Sequence, residues 1–350
     1  MTALPYIDGD TLRALLPMER AVRVLGDALS EGLDPGGGPP RPVVEVPAGQ
    51  FLLMPAAHGR HAGIKVATVA PGNPAKGLPR IQGTYLLFDG DTLTPLAAMD
   101  GAALTALRTP AVSALAAAHL ARPDARSLMV FGTGPQAWGH VEALCAVRPI
   151  ERVTVAGRDA ARARAFAGRC AGLGLHATAL TTAGPAGPAG PVADVADAEA
   201  PVSAERAAAA VRTGGVAVSP EVASAVASAD VIACCTGARE PLFPGALVAD
   251  GATVVAVGSH EPDAREVDGE LVARATVVVE SRAAALAEAG DLVIPIEQGL
   301  VGPDHLAGDL ALLVRGGLRP GPGPRLFKSV GMAWEDLVVA AAVHEAWAGR

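Results

Sequence analysis

The hydrophobic pattern of the chain changes character about one third of the way along. Up to residue 100, short runs of β-type residues follow one another with turn residues between them: Val43–Val46, Phe51–Met54, Gly63–Val69, Thr84–Phe88 and Leu93–Met99. Strands in succession without intervening helices predict a mostly antiparallel or mixed sheet. Asp89-Gly90-Asp91 between the last two is a hairpin signal. Before them, residues 10–32 read as helix, with Pro17 suited to a first turn and Val22, Leu25 and Leu29 on one face. PGGGPPRP at 35–42 breaks the chain. After them, Asp100 is placed to cap a helix over 101–121, which Pro110 should kink or restart. Ala121-Arg122-Pro123-Asp124 then reads as a domain crossing.

Beyond residue 122 strands alternate with helices. Ser127–Phe131 is a short apolar run, Trp138–Val147 carries apolar residues at helical spacing, and Arg152–Ala156 is a second strand. Between the first two lie Gly132-Thr133-Gly134-Pro135-Gln136-Ala137, the G-x-G-x-x-A spacing of a Rossmann dinucleotide site. There the first glycine allows a tight turn, the second lets backbone approach a pyrophosphate, and the small sixth residue lets helix and strand pack. The alternation resumes with Val222–Ala227 as helix, Val231–Cys235 and Thr253–Val257 as strands, Leu271–Arg274 as helix and Thr276–Val279 as strand. RGGLRPGPGPR at 315–325 reads as a second linker, and Leu337–Trp347 as a closing helix that packs back on the first domain. The stretch 183–215 is low in complexity and lacks large apolar residues, which predicts a mobile surface insertion. The expected fold is therefore α/β. A Rossmann-type domain over 122–325 accompanies an α+β domain over 1–121 that is completed by 326–350.

Composition narrows the function. Half of the 350 residues are apolar, ample for two cores. The formal charge of −8, without a basic run, and only 3% aromatics argue against nucleic acid as a partner. No stretch has the length of a membrane span, and Asp8 and Asp10 stand where a secretory signal would be basic and apolar, so a cytoplasmic location is expected. None of the four cysteines has metal-ligand spacing, and no metal is expected.

The end of the second Rossmann strand bears on the dinucleotide. An NAD site usually has a carboxylate there for the ribose 2′-hydroxyl. Here Gly157-Arg158-Asp159 is followed by Arg162 and Arg164. An arginine pairs with a 2′-phosphate that a carboxylate would repel, which favours NADP(H). With a one-residue shift Asp159 would take the ribose, and NAD(H) stays open. In the first domain Arg41, Lys65 and Arg108 are isolated cations in apolar or turn contexts. A lysine in a strand is ordinarily solvated, but three such cations converging would make a carboxylate site.

Four stretches extend this reading: GIKVATVAPGNPAKGLPRIQGTYLLFDGDTLTPLAAMDGAALTALRTPAVSALAAAHLA, VFGTGPQAWGH, VVAVGSHEPDAREVD and LFKSVGMAWEDLVVAAAVHEAW. With them, the chain from about residue 40 to its end resembles the ornithine cyclodeaminase/mu-crystallin family. The resemblance implies a homodimer of two-domain chains with the active site in the cleft between the domains. It also implies NAD(P)-linked interconversion of small amino acids with imino or keto acids. By motif, Arg41, Lys65 and Arg108 hold the substrate carboxylate and polarise its imine or carbonyl. Thr236, Val257 and Gly258 are cofactor neighbours at strand ends, and Ser329-Val330-Gly331 is a loop near the nicotinamide. Two positions depart from the cyclodeaminases, where an aspartate is replaced by His260 and a glutamate by Leu52. Leucine cannot pair an ammonium, which argues against ornithine cyclisation.

His260 could deliver a proton or simply be solvated, and Lys65 is the rival donor. Leu52, Tyr85 and His260 are candidates to shape the pocket. The reading that follows is an NADP-dependent reductase of a small cyclic ketimine or 2-imino acid, or of a 2-keto acid plus amine. A cyclodeaminase with bound NAD and a non-catalytic NADPH-binding protein are the alternatives.

Overall fold

Burial along the early strands follows the two-residue period expected of a sheet with one covered face. In the strand His61–Val69, Gly63 and Lys65 are buried while their neighbours are less so. The computed structural model describes residues 4–182 and 216–350, so the expectation of an insertion over 183–215 lies outside the described residues. The chain divides into two compact units. The first comprises residues 1–116, 309–317 and 331–350; the second comprises 117–308 and 318–330.

The first unit opens with β1 (Tyr6–Ile7) and the helices α1 (Gly9–Leu15) and α2 (Met18–Ser30), separated at Pro17, which caps α2. The strands are β2 (Val43–Val46), β3 (Gly49–His58), β4 (His61–Val69), β5 (Ile81–Asp89) and β6 (Pro95–Asp100). They form one sheet in the order β1-β6-β5-β4-β3-β2, antiparallel except for the β1–β6 pair. Asp89 makes the expected turn by accepting from Thr92 N and its hydroxyl. The closing helix, labelled α11 below, lies across β3, β4 and β5.

The helix α3 (Gly101–Leu120) begins where Asp100 accepts from the N–H groups of Ala102 and Ala103. It runs through Pro110 without a break and leaves the first unit at Ala116. The crossing therefore falls inside the helix, not at 121–124 as the turn residues suggest. The reason is a cap: Arg148 donates to the carbonyls of Ala117, Ala118 and Ala121 and ties the last turn of α3 to the second unit.

The second unit contains β7 (Ser127–Phe131), α4 (Pro135–Val147), β8 (Arg152–Gly157), α5 (Ala160–Ala171) and β9 (His176–Thr181). After the undescribed residues come α6 (Pro220–Ser228), β10 (Val231–Cys234), β11 (Thr253–Ala256), α7 (Gly269–Arg274) and β12 (Thr276–Val279). The helices α8 (Arg282–Glu288) and α9 (Gly290–Glu297) and the strand β13 (Leu306–Asp309) follow. The helix α10 (Leu310–Val314) belongs to the first unit, β14 (Arg325–Lys328) to the second, and α11 (Ala333–Ala348) to the first.

The sheet order is β13-β12-β14-β11-β10-β7-β8-β9. Strands β10, β11 and most of β7 are buried, as parallel strands with helices on both faces must be. After β7 the order runs outward through β8 and β9, then restarts at β10 on the other side. That reversal is the switch point at which such sheets bind ligands, beyond the carboxyl ends of β7 and β10.

One expectation needs correction. The first domain is not completed from residue 326, because β14 pairs in parallel with both β11 and β12 in the middle of the second sheet. The first unit regains the chain for 309–317 and then from Gly331.

Asp230 joins the start of β7 to the start of β10. Its carboxylate accepts from the N–H groups of Arg126 and Ser127, from the Ser127 hydroxyl and from Arg122. Asp230→Ala leaves those donors without their acceptor. We expect it to lower the unfolding free energy by about 1–3 kcal/mol in a denaturant titration; an unchanged midpoint would show that the carboxylate carries no load.

Candidate functional site

In the first unit the sheet geometry puts Lys65 where a lysine is ordinarily not found. It pairs across the sheet with Met54 and Tyr85, both buried, so all three project to the face that α11 covers. Lys65 is 3% exposed. The first turn of α11 brings Glu335 and Asp336 to that face, acidic side chains that also suit a helix N-terminus. Lys65 Nζ lies 2.7 Å from Asp336 Oδ2 and 3.2 Å from the hydroxyl of Thr105. Arg108 stands one turn beyond Thr105 on α3, on the same side of the helix. Its Nε donates to Asp336 Oδ1 at 3.2 Å and its Nη1 to Glu335 Oε2 at 2.5 Å.

Two cations and two carboxylates therefore interlock, all at most 5% exposed. Burial and the neighbouring Arg108 guanidinium pull the Lys65 pKa down to about 8, and Asp336 opposes them. Arg41 reaches the same place through Gly331, whose carbonyl accepts from its Nη1 at 3.1 Å. Gly331 adopts a φ of +76°, and a Cβ there would stand 2.7 Å from Arg108 Nη1. The glycine is needed both for its backbone and for the room it leaves to Arg108. The three cations singled out from the sequence thus converge in this unit. Gly331, expected beside the nicotinamide, packs against two of them, where the chain re-enters the first unit. Tyr85 is fully buried, its hydroxyl against Gly63, and Leu52 is half-buried on β3.

In the second unit the glycine loop follows β7. Gly132 has φ +113°, and a Cβ there would stand 2.5 Å from the carbonyl oxygen of Cys235, so the turn admits only glycine. Gly134 is the N-cap of α4, with Pro135 next, and no side chain caps the helix. A Cβ at Gly134 would meet nothing within 4 Å. The glycine thus leaves open space at a helix start whose N–H groups suit a pyrophosphate. Ala137 is fully buried where helix and strand pack, and a Cβ on Gly157 would stand 3.0 Å from the Thr133 methyl. These residues fit a dinucleotide. At the end of β8, Arg158 is exposed, while Asp159 caps α5 by accepting from Ala161 N and Arg162 N.

The remaining strand ends are held by buried carboxylates that the sequence reading did not single out. Glu266 accepts from Thr236 N, Thr236 Oγ1 and Gly258 N. Glu280 accepts from Ser329 Oγ and Val330 N. Lys328, at the end of β14, pairs with Asp291 at 2.8 Å and donates to the carbonyl of Ser259. Val257 directly follows β11, its N–H donating to Cys234 O, and His260 is exposed on the same loop.

A family model for ornithine cyclodeaminase/mu-crystallin matches residues 26–186 and 195–350. The chain belongs to the ornithine cyclodeaminase/mu-crystallin family. A Delta(1)-pyrroline-2-carboxylate reductase of Bacillus cereus is 36% identical, over 84% of this chain and 80% of its own. A Delta(1)-pyrroline-2-carboxylate/Delta(1)-piperideine-2-carboxylate reductase of Azospirillum brasilense is 33% identical over 100% of this chain and 99% of its own. Among solved structures, the Thermococcus litoralis Delta(1)-pyrroline-2-carboxylate reductase in complex with NADH and L-proline superposes with a TM-score of 0.82. It is 29% identical and the match covers 99% of this chain and 98% of that one.

Within this ornithine cyclodeaminase/mu-crystallin chain, the residues missed from sequence are Thr105, Glu335 and Asp336 in the first unit, and Glu266, Glu280, Asp291 and Lys328 in the second. The signal that singled out Lys65 and Arg108, a charge inside an apolar run, is also present in LFKSV around Lys328 and in TVVVES around Glu280. Asp336→Ala leaves two buried cations short of a shared counter-charge. We expect it to lower the unfolding free energy by about 3–5 kcal/mol, read from the shift in denaturation midpoint; a wild-type midpoint would contradict the buried pairing.

Proposed function

We propose that this chain is an NAD(P)H-dependent reductase of small imino acids, taking a cyclic 2-carboxy-imine of the pyrroline- or piperideine-2-carboxylate type to the cyclic amino acid. The observation that carries the reading is the buried junction of Lys65, Arg108 and Asp336 with Arg41 alongside, in a chain whose relatives reduce such imines. Arg41 and Arg108 take the substrate carboxylate, for which planar guanidinium groups offer paired donors. A dinucleotide held at the glycine loop after β7 would supply the hydride for the imine carbon. Lys65 supplies the proton to the imine nitrogen, so that cofactor and proton together furnish the two hydrogens gained across the C=N bond. A lysine brought down to about 8 gives up a proton near neutral pH far more readily than an ordinary one. Leu52, half-buried, offers no partner to a side-chain ammonium, which weighs against a diamino acid and cyclodeamination.

NADP(H) is the preferred cofactor in this proposal. Exposed Arg158 ends β8, Arg162 and Arg164 follow in α5, and one oxygen of Asp159 is engaged by two helix N–H groups. The proposal extends to a cytoplasmic homodimer. Its support is the exposure of Val44 and Phe51, paired across β2 and β3 on one face of the sheet, with Val43 exposed on the other face of the same strand. Among the described residues no helix is long and apolar enough to cross a membrane.

The first test is NADPH oxidation with cyclic imines, against open-chain keto acids plus amine. Lys65→Ala should lower kcat by roughly 10²–10⁴-fold and leave NADPH affinity unchanged. In the wild type, turnover should fall as pH rises through about 8, because the donor is the protonated form. If His260→Ala abolishes turnover while Lys65→Ala does not, the donor is His260. Lack of turnover across the panel would favour a binding protein.

Arg158→Ala should weaken NADPH roughly 10–100-fold, the loss of a charged hydrogen-bonded pair, with NADH little affected. Equal effects on the two dinucleotides would remove Arg158 as the selector.

A further inference from the structure

The carboxylate of Glu266 is completely buried, yet it touches none of the three cations assigned to substrate. Its two oxygens serve two different strand ends. Oε1 receives Thr236 N at 2.7 Å and Thr236 Oγ1 at 2.8 Å; Oε2 receives Gly258 N at 2.7 Å. Thr236 follows β10 and Gly258 follows β11, neighbours on one side of the switch point. The two ends are pressed together as well: a Cβ on Gly258 would lie 1.9 Å from the Thr236 carbonyl oxygen.

We propose that Glu266 is a positioning residue for the dinucleotide, its ionised carboxylate holding the ends of β10 and β11 in the shape that binding requires. This rests on the reading of those strand ends as cofactor neighbours. The N–H groups of Thr236 and Gly258, one on each oxygen, can only donate, which suits the acceptor-only, ionised group; the Thr236 hydroxyl completes the set. Burial pushes its pKa up, with Lys328 acting in the opposite sense. A second ion pair fixes the backbone from which Glu266 projects. Asp291 Oδ1 accepts from Glu266 N and Val267 N, its Oδ2 pairs with Lys328, and Lys328 also grips the carbonyl of Ser259, next to Gly258. The clamp is thus anchored from β14 and α9, and its load is the pair of loops at the switch point.

Glu266→Gln is nearly isosteric but turns one acceptor into a donor that meets a backbone N–H, so one strand end is released. With NADPH titrated by its fluorescence, the variant is expected to bind at least tenfold more weakly than the wild type. At saturating NADPH its kcat on the imine should stay within about threefold, a KM effect that general loss of structure would not give. Should Glu266→Gln fail to fold, Glu266→Asp keeps the charge and shortens the reach, and it should weaken NADPH at least threefold. A wild-type dissociation constant in whichever variant folds, or a fall in kcat without a change in NADPH affinity, overturns the proposal. Wild-type protein that binds neither NADPH nor NADH would instead refute the cofactor reading beneath it.

Discussion

A charge removed from water must find a counter-charge or hydrogen-bond partners, and that constraint shapes both units of this protein. In the first, Lys65 and Arg108 sit under α11 because Asp336 bridges them and Glu335 takes the other end of the guanidinium. Replacing the whole set by apolar residues would suit stability at least as well. The retention of the set fits the proposed role of its cations toward a substrate carboxylate. The packing around it has no slack: Gly331 carries no side chain because Arg108 occupies that space, and Gly63 carries none because the Tyr85 hydroxyl does.

The second unit applies the same constraint to backbone rather than to substrate. Parallel strands buried on both faces end in N–H groups that need acceptors, and loops at a switch point must hold their shape without a covering sheet. Glu266 and Glu280 supply those acceptors for the loops after β10, β11 and β14. Lys328 then balances part of the buried negative charge, to which Asp291 adds. The result is a rim whose glycine loop leaves room for phosphate while its neighbours are held from behind by carboxylates.

What could be read from sequence follows from range. The glycine loop, the β7–α4–β8 pattern, the Asp89 turn and the Asp100 cap are local, and each appears as its residues suggest. Pro110 is local too but misleads, since tertiary contacts carry α3 straight through it and Arg148 ties its last turn to the second unit. The convergence of Arg41, Lys65 and Arg108 is not local, and only the family resemblance could anticipate it. Their partners were harder still. Asp336 is 271 residues from Lys65, and an acidic pair at the start of a helix reads as an ordinary solvated first turn. Lys328 and Glu280 end strands, where a charge normally marks the exit to solvent; here the loops beyond fold back over them. The β14 segment follows a Gly/Pro-rich stretch that looks like an outbound linker, so its insertion between β11 and β12 left no trace in periodicity.

The arrangement around Lys65 also explains why the last helix of the chain belongs with the first sheet. The proton-donor role proposed for Lys65 calls for an amine less basic than usual, and burial together with Arg108 lowers its pKa to about 8. Those same influences, unopposed, would favour the neutral amine further. Asp336 acts in the opposite sense and favours the charged form. It must be as deeply buried as the lysine, or solvent would screen it. A carboxylate delivered by a packed helix meets that need where one on a mobile loop would not. The position of α11 across β3, β4 and β5 therefore bears on the charge state of Lys65 as well as on the hydrophobic core.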